Sequence, residues 1–515
     1  MDGEIQGSKI GITVVAMVGA LMALIDITIV NVALNDIRAS FGTPLDQIGW
    51  VSTGYMMANI VVIPMTGWFQ RRFGYRKYFA ASVALFSIAS ALCGLAWSLP
   101  ALVLFRMLQG LGGGAIIPTA QSILMARYPK AEHGMASGLF ALGAITGPLL
   151  GPAIGGYLID ISSWHWIFMV NVPFGIIMTI MTLRFVEEPH FVAPTGPAAK
   201  VDVFGVVLLA TGMPAIQYVL EEGNREGWTE SPLIVALIAI GAIAMTTFVI
   251  HELETPHPIV ELRVFAIRNY TAGTGINLLT GFALFSGSYL FSLYCGSVMR
   301  YAALDVGKVF LVAGAISIVL MPIIGKNAHR VDPRLLLLVG VGIVTGSQMI
   351  ASHLTPAAGF WDLVTPNMVR SAGLGFILIP VSLIALSDIP ADKRGNATGL
   401  FNLTRELGGS IGTAVMGMLV TDGIKVNGSY LSESITPQNP LVQEQAAQMT
   451  GMIGTMTFQK DLVAESLFKL KVTTQAMVLS FEHGFRVVAT VIGFGLLLIL
   501  VMTKSKTTGP IDGVH

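Results

Sequence analysis

The sequence predicts an all-α protein that crosses a membrane many times, and three observations predict it. Apolar residues fill 53% of the 515 positions and charged residues only 12%, too few charges to coat a water-soluble globule. Apolar runs of about twenty residues, the helix length that crosses a bilayer, recur along the whole chain. Within each run a helix satisfies every backbone group inside one segment, which lipid demands.

Fourteen runs are placed in order, at about 10–34, 47–67, 78–97, 101–126, 134–160, 164–184, 203–221, 232–252, 269–297, 306–325, 334–353, 362–387, 396–421 and 482–503. The first is long, follows a start of mixed charge and leads straight into more spans, so it does not read as a cleavable signal peptide. A formal net charge of zero offers no footprint for nucleic acid. Cys93 and Cys295 both fall in apolar runs and suggest neither a disulfide framework nor a metal site. No GxxxxGK[ST] phosphate loop, GxSxG elbow or metal-spaced His/Cys cluster appears, so neither an ATP-driven pump nor an enzyme is expected.

Basic residues orient the spans, because lysine and arginine stay on the cytoplasmic side. The turns sharing a side with both termini carry Arg71, Arg72, Arg76, Lys77, Arg127, Lys130, Arg263, Arg268, Lys326, Arg330, Lys393 and Arg394, whereas the short turns opposite carry Arg38, Arg225, Arg300 and Lys308. Both termini are therefore expected in the cytoplasm. Three arginines remain inside apolar runs, Arg106, Arg370 and Arg405, with the acids Asp26 and Glu406 at similar depth. A charge there is costly unless it faces a partner or water, which makes each a functional candidate.

The stretch GAITGPLLGPAIGG, with Gly143, Gly147, Pro148, Gly151, Pro152, Gly155 and Gly156 inside one span, predicts a kinked helix in close contact with a neighbour. Shifting the chain by 261 residues aligns Pro129, Gly134, Ala136, Gly138, Leu139, Phe140, Leu142, Gly147 and Gly151 with identical residues from Pro390 to Gly412. The chain then reads as two homologous halves of six spans, 1–185 and 263–515, with linkers and two inserted spans over 186–262. Repeated halves around a central site are an architecture of secondary transporters. Lying outside both repeats, the inserted spans are expected at the periphery.

These residues resemble the major facilitator superfamily, and within it the fourteen-span drug:proton antiporter branch of EmrB/QacA type. LIDITIVNVAL around Asp26 and Asn31 is similar to the acidic first-span motif, LVLFRMLQGLGGG around Arg106 to the fourth-span motif tied to proton coupling, and GAITGPLLGPAIGG to the fifth-span antiporter motif. The resemblance reaches the inserted pair, the LEEG turn, NLTRELGGSIG and the long loop at 422–481. It implies proton-coupled export of hydrophobic or amphipathic compounds across a bacterial inner membrane, with no cofactor beyond the proton gradient. In the same fold stand a dedicated exporter of one metabolite, such as a siderophore, and an uptake symporter. The resemblance also implies that loop 422–481 docks an EmrA-like periplasmic adaptor leading to an outer-membrane channel; a plain solvated loop is the other reading. One departure is Arg71, where the turn after the second span usually carries an acid, and His329 departs likewise in the second half. The usual salt-bridge latch is replaced by contacts that the sequence does not name.

Burial favours the neutral form of a carboxylate and a neighbouring arginine the charged form. On that ground Asp26 is expected to carry the proton and Arg106 to hold it ionised; a permanent structural ion pair is the alternative. Arg405 and Glu406 are adjacent, about 100° apart on a helix, so one faces a cavity and the other a neighbouring helix. The resemblance favours Arg405 as the functional member, and Glu406 is a candidate second proton site or cation-recognition site. Asn31, Gln109, Tyr289, Tyr294 and Arg370 are candidate cavity residues, set against helix-to-helix hydrogen bonding.

Overall fold

A computed structural model describes residues 2–129, 132–187, 202–256, 258–328, 330–390, 393–433 and 460–503, which are helical with no strand among them. The first half comprises α1 (Asp2–Phe41), α2 (Trp50–Phe73), α3 (Tyr75–Gly94), α4 (Leu99–Arg127), α5 (His133–Ile161) and α6 (Asn171–Phe185). The inserted helices are α7 (Val203–Glu222) and α8 (Pro232–Glu254). The second half comprises α9 (Arg268–Ser297), α10 (Ala303–Asn327), α11 (Pro333–Ala351), α12 (Phe360–Ser387), α13 (Arg394–Glu433) and α14 (Lys460–Gly493), which Gly495–Val501 continues. Helix starts follow local chemistry. Ser98 caps α4 with Pro100 in its first turn, and Asp202 accepts from Gly205 N at 2.9 Å to cap α7.

Among the described residues twelve helices are long and apolar enough to cross a membrane, or thirteen if α5, bent by 42° around Pro148, counts as one span. The remaining expected span forms α2, whose 24 residues are long enough but carry Thr53, Asn59, Thr66 and Gln70. All four are buried against protein, which is why this helix is less apolar than a lipid-facing one. Polar stretches also continue helically at the other end of the chain. Helix α13 spans 40 residues, about 60 Å at 1.5 Å per residue, roughly twice the hydrocarbon thickness. It stands beside α14, with Asn427 Nδ2 donating to Ser480 Oγ at 3.0 Å. Both flanks of the expected 422–481 loop are therefore helix; its centre, with LVQEQAAQMTGMIGTM, lies outside the described residues, as does His329.

The repeat reappears in the packing. On α5, Gly147 and Gly155 meet Leu24 and Ile29 of α1 so closely that an added Cβ would stand 2.6 and 2.8 Å from their side chains, and Gly151 abuts Thr28 in the same stripe. The aligned Gly408 and Gly412 of α13 lie in the same way against Leu278 and Phe282 of α9. Gly143 is looser, its nearest outside atom 3.7 Å away, and Gly156 is buried. A further set of glycines joins the halves at the end where α2 finishes and α5 begins. There Gly134 and Gly138 of α5 press on Gly325 of α10, and Gly67 of α2 on Asn396 of α13.

Uncharged side chains complete this end. Asn402 Nδ2 donates to Gln121 Oε1 at 2.7 Å and Ser382 Oγ to Ser137 Oγ at 3.1 Å, both between halves, while Gln70 Nε2 donates to Thr119 Oγ1 at 3.1 Å. Backbone contact between glycines, and hydrogen bonds between neutral side chains, thus help to close this end. A valine at Gly134 would meet the Gly325 carbonyl, and such overpacking costs about 1–3 kcal/mol. Gly134→Val should therefore lower the closed population by about tenfold or more, read as faster reaction of a Ser137→Cys reporter with an impermeant maleimide. Unchanged labelling would show that the glycine contact does not hold the end shut.

Candidate functional site

Asp26 on α1 and Arg106 on α4 form an ion pair with 0% and 1% exposure, Arg106 Nη1 lying 2.6 Å from Asp26 Oδ2. Neighbouring helices fix both groups. Gln109 Nε2, one turn after Arg106, and Asn171 Nδ2 at the start of α6 each donate to Asp26 Oδ1 at 2.8 Å. Arg106 Nη1 also donates to Gln109 Oε1 at 2.7 Å, and its Nε to the Val51 carbonyl of α2 at 3.1 Å. Its guanidinium stacks on Tyr55, 4.2 Å from the ring centroid, and Asn59 Nδ2 donates to the Tyr55 hydroxyl at 3.2 Å. Asn171 is itself held by Ser90 Oγ at 3.2 Å, and Ser90 by the Phe168 carbonyl at 2.9 Å. The carboxylate thus accepts three hydrogen bonds in a site built by α1, α2, α3, α4 and α6.

Beside the pair lies a cavity of about 660 Å³ between the halves. Arg106 and Tyr55 line it while Asp26 sits behind them, so the guanidinium separates the carboxylate from the open space. The α5 run divides its labour by helical phase: Gly147, Gly151 and Gly155 face α1, and Pro148 and Pro152, one residue on, line the cavity. Opposite walls come from α9, α10 and α13, including Phe285, Tyr289, Phe310 and Glu406.

The expected residues divide. Asn31 and Tyr289 line the cavity, with Ser52 Oγ donating to Asn31 Oδ1 at 3.3 Å. Gln109 instead braces the ion pair behind the wall. Tyr294 is buried edge-on against Phe481, ring centroids 5.5 Å apart, because its turn of α9 faces α14. Arg370 is buried one layer back, donating to the Leu284 carbonyl at 3.3 Å, Ser288 Oγ at 3.2 Å and Asn367 Oδ1 at 3.0 Å. Of the α13 pair, Glu406 faces the cavity and Arg405 turns into the seam, the reverse of the expected emphasis. Arg405 Nη2 donates to Asn402 Oδ1 at 2.9 Å and its guanidinium lies 5.8 Å from the Phe140 ring, so it ties α13 to the other half.

The inserted helices also part company with expectation. Helix α8 is peripheral, only 22% of its apolar window being buried, but α7 packs between α2 and α13 and places Glu221 on the cavity wall. Gln217 Nε2 donates both to Glu221 Oε1 at 2.8 Å and to Ser410 Oγ of α13 at 3.0 Å. On the α2 side Thr53 Oγ1 donates to Glu222 Oε1 at 3.1 Å, Arg225 pairs with Glu222 at 2.9 Å, and Trp50 packs on Tyr218. In the turn beyond, the Tyr218 hydroxyl donating at 2.6 Å holds the Glu226 carboxyl below the usual glutamate range. The LEEG turn was the available signal for Glu221; repeat logic set it aside. Asn171 and Tyr55 carried no signal beyond a polar residue at the start of a run and an aromatic within one.

Residues 16–413 match the family model described as Major Facilitator Superfamily. The chain is 32% identical over 504 residues to the multidrug export protein EmrB of Haemophilus influenzae, covering 97% of this chain and 96% of that protein. It is 31% identical to EmrB of Escherichia coli K12, covering 96% and 95%. In fold it is similar to the crystal structure of the human organic anion transporter MFSD10 (TETRAN), at a TM-score of 0.61 and 10% identity, covering 95% and 99%.

Removing Arg106 leaves a carboxylate buried without a cation, a change that costs about 3–5 kcal/mol. Loss of one neutral donor costs about 1–3 kcal/mol. Arg106→Met and Asp26→Asn, each of which strands the other's buried charge, should therefore lower the thermal midpoint of the purified protein more than Asn171→Leu. An Asn171→Leu effect equal to that of Arg106→Met would break this ordering.

Proposed function

This chain belongs to the Major Facilitator Superfamily, and from that premise we propose that it is a proton-coupled exporter of hydrophobic or amphipathic compounds, of multidrug type. The observation that carries the reading is the Asp26–Arg106 pair: a carboxylate with no exposure, paired with a guanidinium that lines the cavity in front of it. A proton that reaches Asp26 frees Arg106, whose guanidinium then turns its charge toward the cavity and weakens the hold on a bound cation. Proton uptake and substrate departure are thereby coupled through one side chain, and a carboxylate returned to Arg106 releases its proton again.

The export direction and compound class rest on the similarity to proteins named for multidrug export. The proposed setting is the bacterial inner membrane with both termini in the cytoplasm, which the distribution of basic turns supports. The closed, glycine-packed end then faces the cytoplasm and the cavity faces outward. Helices α13 and α14 project on the outward side, where an EmrA-like adaptor is the proposed partner for residues 422–481, leading on to an outer-membrane channel.

Protein reconstituted in liposomes with an inward-directed proton gradient should expel a preloaded lipophilic dye, and Asp26→Asn should reduce this gradient-driven transport about a hundredfold, as loss of an essential proton-transfer group does. Downhill dye equilibration should survive. Gradient-driven transport retained in Asp26→Asn would remove this residue from the coupling role.

A further inference from the structure

We propose that Glu221 of the inserted helix α7 and Glu406 of α13 together form a recognition wall for the positive charge of an organic cation, so that the insertion helps select what the cavity accepts. This rests on the exporter reading for its purpose and on the cavity alone for its binding.

Glu406 is 6% exposed, lines the cavity, and has no hydrogen bond or ion pair within 4 Å among the described residues. A buried carboxylate costs free energy until a partner arrives, and the side of Glu406 left open is the cavity side. Glu221 lies on the same wall. Ser410 follows Glu406 by four residues, so the two share one face of α13 a single turn apart, and Gln217 links Ser410 to Glu221 by hydrogen bonds of 3.0 and 2.8 Å. The wall therefore presents two carboxylates, linked through Ser410 and Gln217. Gln217 Oε1, buried and without a partner, is a third acceptor beside them.

Two arginines stand near this wall, and each makes its hydrogen bonds elsewhere. Arg405 points into the seam toward Asn402 and Phe140, and Arg106 is committed to Asp26. Nearby Phe285, Tyr289 and Met56 supply apolar and aromatic surface, which suits the body of an amphipathic cation and offers ring faces to its charge. The bridging role of Gln217 explains why a helix outside both repeats is fixed at the cavity: it holds Glu221 in line with Glu406.

Two fluorescent probes test the proposal on purified full-length protein: ethidium, a planar cation, and Nile red, an uncharged dye. Glu221→Gln and Glu406→Gln should each raise the ethidium dissociation constant about tenfold, leave Nile red within twofold, and lose more ethidium affinity together than either alone. Gln217→Leu, which frees Glu221 without removing it, should give a smaller ethidium loss. Unchanged ethidium affinity in Glu221→Gln overturns the proposal. So does equal weakening of both probes, which would report a damaged cavity, and so does wild-type protein that fails to bind ethidium. Ethidium bound with this pattern but never moved by a proton gradient would leave the wall standing and count against the exporter reading instead.

Discussion

A carboxylate with no exposed surface in a membrane bundle keeps its charge only where donors converge on it, and the first half of this protein is arranged around that requirement. Arg106, Gln109 and Asn171 reach Asp26 from α4 and α6, Val51 holds Arg106 from α2, and Ser90 of α3 steadies Asn171. None of these helices can turn or slide without breaking a bond to a buried charge, which makes the group cooperative. The α5 glycines serve the same end. By letting α5 lie directly on α1 at Leu24, Thr28 and Ile29, they fix the segment that carries Asp26 and leave the prolines of the same run for the cavity.

The repeat produces one packing device and two electrostatic outcomes. Helices α5 and α13 each press glycines on the first helix of their own half, α1 or α9, yet Ala144 and Ile145 in one copy stand where Arg405 and Glu406 stand in the other. The first half keeps its charges as a closed pair. The second splits them by helical phase, Arg405 into the seam and Glu406 into the open space. Among the described residues, glycine backbones and neutral amides such as Asn402 with Gln121 join the halves beside Arg405 on Phe140. Neutral contacts of this kind are short-ranged and cost little to separate, which on the proposed exporter reading suits a seam that opens.

The succession of long apolar helices was legible in the sequence because it rests on hydrophobic length, and the matching glycines of α5 and α13 because they rest on identity at a fixed offset. Asp26 and Arg106 were legible because charge inside an apolar run is conspicuous. Direction was not: two adjacent residues on a helix differ by 100°, and which of Arg405 and Glu406 faces a neighbour depends on packing that α5 supplies through Phe140. Tyr294 and Gln109 misled for the same reason, each being polar at span depth and satisfied or packed behind the wall. Helix α7 was hidden by the strength of the repeat itself, since an element outside the symmetry was assigned to the rim. Nothing short of Gln217 meeting Ser410 across two helices places it at the cavity.

That placement alters the charge balance. Within the spans the first half is neutral, Asp26 against Arg106, while the second half carries Arg370 and Arg405 against Glu406 alone. Arg370 has only neutral partners among the described residues, and its Nε has none. Glu221 supplies the missing negative charge from outside the repeat and lies on the cavity, whereas Arg370 stands behind Ser288 on α9. An amphipathic molecule in the cavity therefore meets a field with direction, negative at the α7–α13 wall and positive behind α9. On the proposed exporter reading this matters more than total affinity. A bound cation adds a charge to a low-dielectric site, which resists that addition unless a proton leaves as the cation arrives. The same balance that orients the guest thus favours exchange over simple accumulation.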